Sequence, residues 1–98
     1  MLKHIPSLKP RELIRFLEQG GCRFHREGKG DHRVYIRYLE NQKRIVPIDM
    51  GAKEFSPPYV LRIFRQFGFT DEEIENILKR EVSRRVPGSA YKVLKSVT

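Results

Sequence analysis

The chain reads as an α+β domain in which helices cover one face of a three-stranded antiparallel sheet. Three observations carry this reading. Leu13, Ile14 and Leu17 recur at helical spacing, with Phe16 beside them, between Pro10 and the pair Gly20-Gly21. Three short segments, two of them alternating apolar with polar residues, are then joined by polar turns. Finally, Phe69-Thr70-Asp71-Glu72-Glu73-Ile74 has the form of a helix start.

Residues 1–9 read as a short leader. Pro10 suits the first turn of a helix over 10–19, and the two glycines stop it. Cys22-Arg23-Phe24-His25-Arg26 is expected as a strand with one buried face. Glu27 to Asp31 forms a turn, and a second strand runs from about 32 to 39. Glu40-Asn41-Gln42 returns the chain into a third strand over about 43–48. Pro47 within that strand marks it as an edge or an end. After a loop over 51–56, Ser56 is placed to cap a second helix that begins with Pro57-Pro58. Val60, Leu61, Phe64 and Phe67 form its apolar stripe, and Gly68 ends it. Thr70 and Glu73 then make a capping box, with Phe69 and Ile74 as the hydrophobic staple. Ile74, Ile77, Leu78 and Val82 face the core from a third helix that stops before Pro87-Gly88. The order is α-β-β-β-α, an additional C-terminal helix and a tail. The core domain is set at 10–83 and the tail at 84–98.

Ninety-eight residues at 39% hydrophobic make one domain with a modest core. The formal net charge of +8 biases the chain towards polyanions, nucleic acid first. Cys22 is the only cysteine, so neither a disulfide nor a cysteine-based zinc site forms within one chain. Beside Phe24 it reads as a small buried hydrophobe. Residues 1–9 contain no apolar run suited to a signal peptide, and no stretch reaches the ~18 apolar residues of a membrane span. The expectation is a cytoplasmic protein, monomeric when free and without membrane contact.

The chemistry concentrates at Arg26-Glu27-Gly28-Lys29-Gly30-Asp31-His32-Arg33. One of only three histidines stands here at a tight turn built on Gly28 and Gly30, among three basic side chains. An imidazole titrates near neutrality and so gives or takes a proton at working pH. In metal-free RNA cleavage the 2′-hydroxyl attacks the adjacent phosphate, and His32 suits either the base or the acid of that reaction. Lys29 and Arg33 flank the turn as phosphate contacts, and Arg26, Arg23 and Arg37 extend the set. His32 shares strand parity with Val34 and Ile36, which the alternation sets inward. The turn either keeps the ring on that face or rotates it outward. The opposite face then carries Arg33, Tyr35 and Arg37, a basic, tyrosine-bearing surface of the kind that binds RNA. Plain solvation or a protein partner is the alternative use of that face.

Asp31 orients the ring or holds the turn. His25 is expected outward with Arg23, as a second acid–base group or a solvated one. His4 lies in the leader. Asp49, at the end of the third strand, has a further role open near His32. A metal nuclease would need Asp31 and Asp49 to gather with His32, which their spacing does not require. Gly28-Lys29-Gly30 lacks the long loop and terminal Lys-Ser/Thr of a P-loop. Lys43 and Arg44 lie near the other hairpin and suggest a second basic patch.

Taken in order, several stretches resemble the HicA family, also called YcfA-like proteins, the toxin half of a bacterial or archaeal toxin–antitoxin pair. The stretches are Pro10-Arg11-Glu12-Leu13-Ile14-Arg15-Phe16-Leu17-Glu18, Gly21-Cys22-Arg23-Phe24 and Gly28-Lys29-Gly30-Asp31-His32. Arg44-Ile45-Val46-Pro47-Ile48 and Leu61-Arg62-Ile63-Phe64-Arg65-Gln66-Phe67-Gly68-Phe69 complete the match, over roughly 10–80. The resemblance implies a fold like a double-stranded-RNA-binding domain. It implies an mRNA interferase, a ribonuclease that cuts messenger RNA without metal or cofactor. It also implies a HicB-type antitoxin that covers the active site. The family's catalytic histidine follows a glycine-serine pair. Gly30 matches the glycine and His32 the histidine, while Asp31 replaces the serine. An acid at that place bears on cleavage rate or substrate preference. Members commonly carry a histidine just after the proline of the third strand; this chain offers Asp49, two residues past Pro47, instead. Ser56-Pro57-Pro58-Tyr59-Val60 departs from the usual Gly-Thr-Leu start of the second helix, and the tail is not covered. A non-catalytic or attenuated RNA-binding protein of the same fold, and an interaction protein for an acidic partner, stand as the alternative functions.

Overall fold

The computed structural model of the chain describes residues 4–85, with side chains as far as Glu81. Its elements are α1 (Pro10–Gln19), β1 (Arg23–Glu27), β2 (His32–Tyr38), β3 (Lys43–Asp49), α2 (Pro57–Gln66) and α3 (Asp71–Arg85). This is the expected α+β order, α-β-β-β-α with an additional helix. The tail beyond Arg85 and the place of the Val82 side chain lie outside the described residues.

The helices begin and end where local chemistry requires. At α1, Glu12 reaches back to accept the Lys9 N–H (2.8 Å). Gly21, at φ +94°, allows a left-handed exit. The Gly21 and Cys22 N–H groups then donate to Glu18 O and Leu17 O (both 3.1 Å). Helix α2 closes in the same way. Gly68 has φ +79°, and Gly68 N donates to Arg65 O (2.9 Å) and Phe69 N to Phe64 O (3.1 Å). The Phe64 and Phe69 rings pack edge to face at 5.5 Å across that turn. Ser56 occupies the N-cap of α2, but its hydroxyl makes no cap bond. Thr70 does cap α3. Its N–H donates to Glu73 Oε1 (2.9 Å) and its Oγ1 accepts the Glu73 N–H (3.1 Å).

The sheet is an antiparallel meander in the order β1-β2-β3. Tyr35 pairs with Val46 and Arg33 with Ile48. Met50 N donates to Asp31 O (2.9 Å), which sets the phase of the β2–β3 ladder. Pro47, opposite Val34, therefore turns its donorless nitrogen to the free edge of β3. The core lies between the helices and the sheet face that carries Tyr35, Val46 and Ile48. Leu13 and Leu17 of α1, Val60 and Phe64 of α2 and Ile74 of α3 fill it. Leu8 is also buried there, doubly hydrogen-bonded to Phe55.

This face corrects the expected polarity of β2. Tyr35 and Arg37 point towards the helices and are buried, at 4% and 8% exposure. Val34 and Ile36 belong to the opposite face, yet are buried as well. The reason is that β2 is the central strand. Val34 lies between Arg26 and Pro47, and Ile36 between Arg23 and Ile45. Strand β1 also departs from expectation, since all five of its residues are exposed. The register slips between Phe24 and Arg26, leaving His25 at a bulge.

Arg37 explains how a guanidinium is tolerated inside. Its Nε donates to Gly20 O (3.1 Å) and one terminal nitrogen to Phe67 O (3.1 Å). The other terminal nitrogen pairs with Glu73 Oε2 (2.7 Å). Its Cζ lies 3.7 Å from the centre of the Phe69 ring. One side chain thus ties the C-termini of α1 and α2 to the N-terminus of α3.

The Thr70 N–H bond, with the Arg37 guanidinium adding to it against partial burial, holds the Glu73 carboxyl below its ordinary value of 4.5. A depressed carboxylate contributes stability above its unfolded pKa and loses it as the pH falls through the folded one. Glu73→Gln should therefore lower the melting temperature at pH 7. The gap to wild type should close as the pH drops below about 4.5. Melting curves at several pH values check this, and a gap independent of pH would contradict it.

Candidate active site at the β1–β2 turn

The β1–β2 turn is closed by His32 N donating to Lys29 O (3.1 Å) and by Gly28 N donating to His32 O (2.9 Å). Gly30 takes φ +58°, and no non-glycine residue among those described has positive φ. Positive φ at the first central position alone is the pattern of a type II′ turn, which favours glycine there. Gly28 has a second reason to lack a side chain. A Cβ on it would stand 3.1 Å from the His32 Cβ.

His32 opens β2 and is partly exposed on the sheet face away from the helices. Its Nδ1 lies 3.1 Å from Lys29 O. A carbonyl only accepts, so this bond puts the proton on Nδ1 and leaves Nε2 as the ring's acceptor. In the neutral ring the main chain thus fixes the tautomer without help from any side chain.

Two acids stand near it. Asp49 is the cross-strand partner of His32, but its Oδ1 accepts the Gly51 N–H (2.9 Å). The Asp31 carboxylate lies against Gly51, where a Cβ would come within 2.7 Å of Oδ2. Gly51 thus joins the β1–β2 turn to the loop after β3. A loop beginning at Gly51 was legible in the sequence, but its contact with Asp31 was not. Neither acid makes a hydrogen bond to the ring among the described residues. No group of three or more His, Cys, Asp or Glu residues among them is placed to hold a metal ion, so Asp31, Asp49 and His32 do not gather into such a site.

The basic set divides in two. Lys29, Arg23 and Arg26 are exposed around the turn and β1, and Arg33 is exposed on β2 but on the face of Tyr35, opposite His32. Arg26 bonds only the neighbouring Glu27 O (3.3 Å), and Arg33 stands 3.9 Å from Glu27. Arg37 and Tyr35 face inward and are removed from any surface platform. Burial raises the Tyr35 phenol above its ordinary 10.0. Burial also pushes the Cys22 thiol up to about 12, which leaves it inert as a nucleophile. His4 is exposed, remote in sequence from this turn. No described helix is long and apolar enough to cross a membrane.

A small basic α+β domain, with a main-chain-oriented histidine at the first hairpin of a three-stranded sheet, has the make-up of a protein that handles nucleic acid. The family model described as HicA toxin of bacterial toxin–antitoxin matches residues 10–69, more than half of the chain. The chain belongs to the HicA toxin family. No curated protein and no solved structure matches it.

Proposed function

We propose that this protein is the toxin of a type II toxin–antitoxin pair and an mRNA endonuclease that works without a metal ion. It would act in the cytoplasm, with His32 transferring the proton. The observation that carries this reading is the His32 Nδ1 bond to Lys29 O, which leaves Nε2 as a base beside exposed cations in a HicA-family chain.

In this mechanism Nε2 takes the proton of a substrate 2′-hydroxyl. The 2′-oxygen forms a bond to the adjacent phosphorus, and the bond from phosphorus to the 5′-oxygen breaks. That oxygen receives a proton and leaves as a hydroxyl, and the other fragment ends in a 2′,3′-cyclic phosphate. Lys29, Arg26 and Arg23 hold the phosphate and offset the charge that develops on it. A HicB-type antitoxin silences the enzyme by covering this turn.

The test is cleavage of end-labelled single-stranded RNA by the purified protein in EDTA, with the product ends identified. Cyclic phosphate and 5′-hydroxyl ends support the mechanism. Cleavage that EDTA abolishes would contradict it. RNA binding without cleavage would identify an attenuated or purely RNA-binding member of the fold, a reading that Asp31 in place of the usual serine favours.

A further inference from the structure

A groove of about 490 Å³ runs between the free edge of β3 and α2, lined by Lys43, Arg44, Ile45, Pro47, Tyr59 and Gln66 among others. A neighbouring concavity of about 590 Å³ shares Arg44 and Gln66 and adds Arg62 and Arg65. No acidic side chain lines either. Arg65 is paired with Asp71 (3.3 Å) at the far rim. Tyr59 stacks on Phe55 (4.9 Å between centroids) and is 38% exposed.

Arg44 is the informative residue. It pairs across the ladder with Arg37, so both side chains leave the sheet on its helix face. Arg37 takes Gly20 O, Phe67 O and Glu73. Arg44 has only a long contact to Gln66 O (3.4 Å), and its Nε is buried with no acceptor. Nε itself is closed to solvent, so an anionic oxygen would meet the terminal nitrogens of Arg44, among further cations that no acidic lining residue offsets.

We propose that this groove is a second RNA-binding site, in which Arg44 and Arg62 hold backbone phosphates of the strand cut at His32. The inference rests on the reading of the chain as a ribonuclease. Two features favour RNA over a peptide. Arginines beside an exposed tyrosine suit phosphates and a stacked base. Pro47 removes an N–H from the middle of the β3 edge, which weakens that edge as a template for an added strand. Along β3, Arg44 lies five residues from Asp49, the cross-strand partner of His32, or about 17 Å. Arg44 is on the helix face and His32 on the other, so a strand that meets both passes round the free edge of β3.

The test measures binding of 2′-O-methyl oligoribonucleotides, which lack the attacking hydroxyl, at several salt concentrations. The proteins are wild type, Arg62→Gln and the double variant Arg44→Gln/Arg62→Gln. For an oligomer of about fifteen nucleotides, the double variant should bind about ten-fold more weakly. Its log–log salt slope should be shallower by about 1.4, since each lost phosphate contact contributes about 0.7. Arg62→Gln, on the exposed face of α2, should show about half of that slope change and keeps the test valid if Arg44→Gln disturbs the fold. Cleavage of a short RNA should be unchanged. Unaltered affinity and slope for the long oligomer would overturn the groove while leaving the ribonuclease reading intact. A wild-type protein that neither binds nor cleaves RNA would overturn both. Binding of polyglutamate that these substitutions abolish, with RNA unaffected, would assign the groove to an acidic protein partner instead.

Discussion

Replacing His32 by alanine should abolish RNA cleavage, a loss on the order of 10²–10⁴-fold, and leave the fold intact. The size is that of a positioned general base or acid. The fold should survive because the ring contributes one bond, from Nδ1 to Lys29 O. The turn is closed by main-chain bonds that alanine keeps, His32 N to Lys29 O and Gly28 N to His32 O. The ring is also partly exposed at the end of a strand, so its removal opens no large cavity. Parallel cleavage assays and thermal melts separate the two effects. A folded His32→Ala protein that cleaves at the wild-type rate would remove the imidazole from the chemistry. A variant that loses activity only because it unfolds would show a collapsed melting transition.

Arg37→Met should destabilise the protein by roughly 3 kcal/mol, about the cost of leaving one or two buried carbonyls without a donor. Gly20 O and Phe67 O lose their partner, and both stand at helix C-termini. Glu73 is 43% exposed and recovers water, so the lost ion pair adds less than the carbonyls do. Arg37→Lys should rescue little, because one ammonium group does not span three acceptors in a plane and lie over the Phe69 ring. Urea titration measures the loss. RNA affinity of the folded fraction should be unchanged, which distinguishes an interior tie from a surface contact. Stability within ~0.5 kcal/mol of wild type would show that the network is dispensable.

The same arginine shows where sequence reading stopped. Helix ends were legible because glycine, proline and the Thr70–Glu73 box act locally, whatever packs around them. The turn at Gly28-Lys29-Gly30-Asp31 was legible for the same reason. The polarity of β2 was not. A central strand is covered on both faces, so Val34 and Ile36 are as dry as Tyr35, and alternation then gives no sign of which face meets the helices. Strand β3 holds the same ambiguity in Ile45-Val46-Pro47-Ile48, since both parities carry apolar residues. What decides is that Arg37 finds three acceptors on three different helices, an arrangement no local pattern encodes. The place of His32 at the end of its turn was legible too, and its outward face follows once Tyr35 is known to point inward. The bulge at His25 and the contact of Asp31 with Gly51 depend on how β1 and the loop after β3 settle on β2.

The group that fixes the tautomer of the neutral imidazole is a peptide carbonyl, and no point mutation deletes a peptide carbonyl. Any residue at position 29 supplies the same oxygen to Nδ1. On the proposed mechanism, escape from such a toxin therefore has an uneven genetics. A single codon change at His32 removes the ring, and an insertion between Gly28 and His32 moves the carbonyl away. Drift at Lys29 does neither.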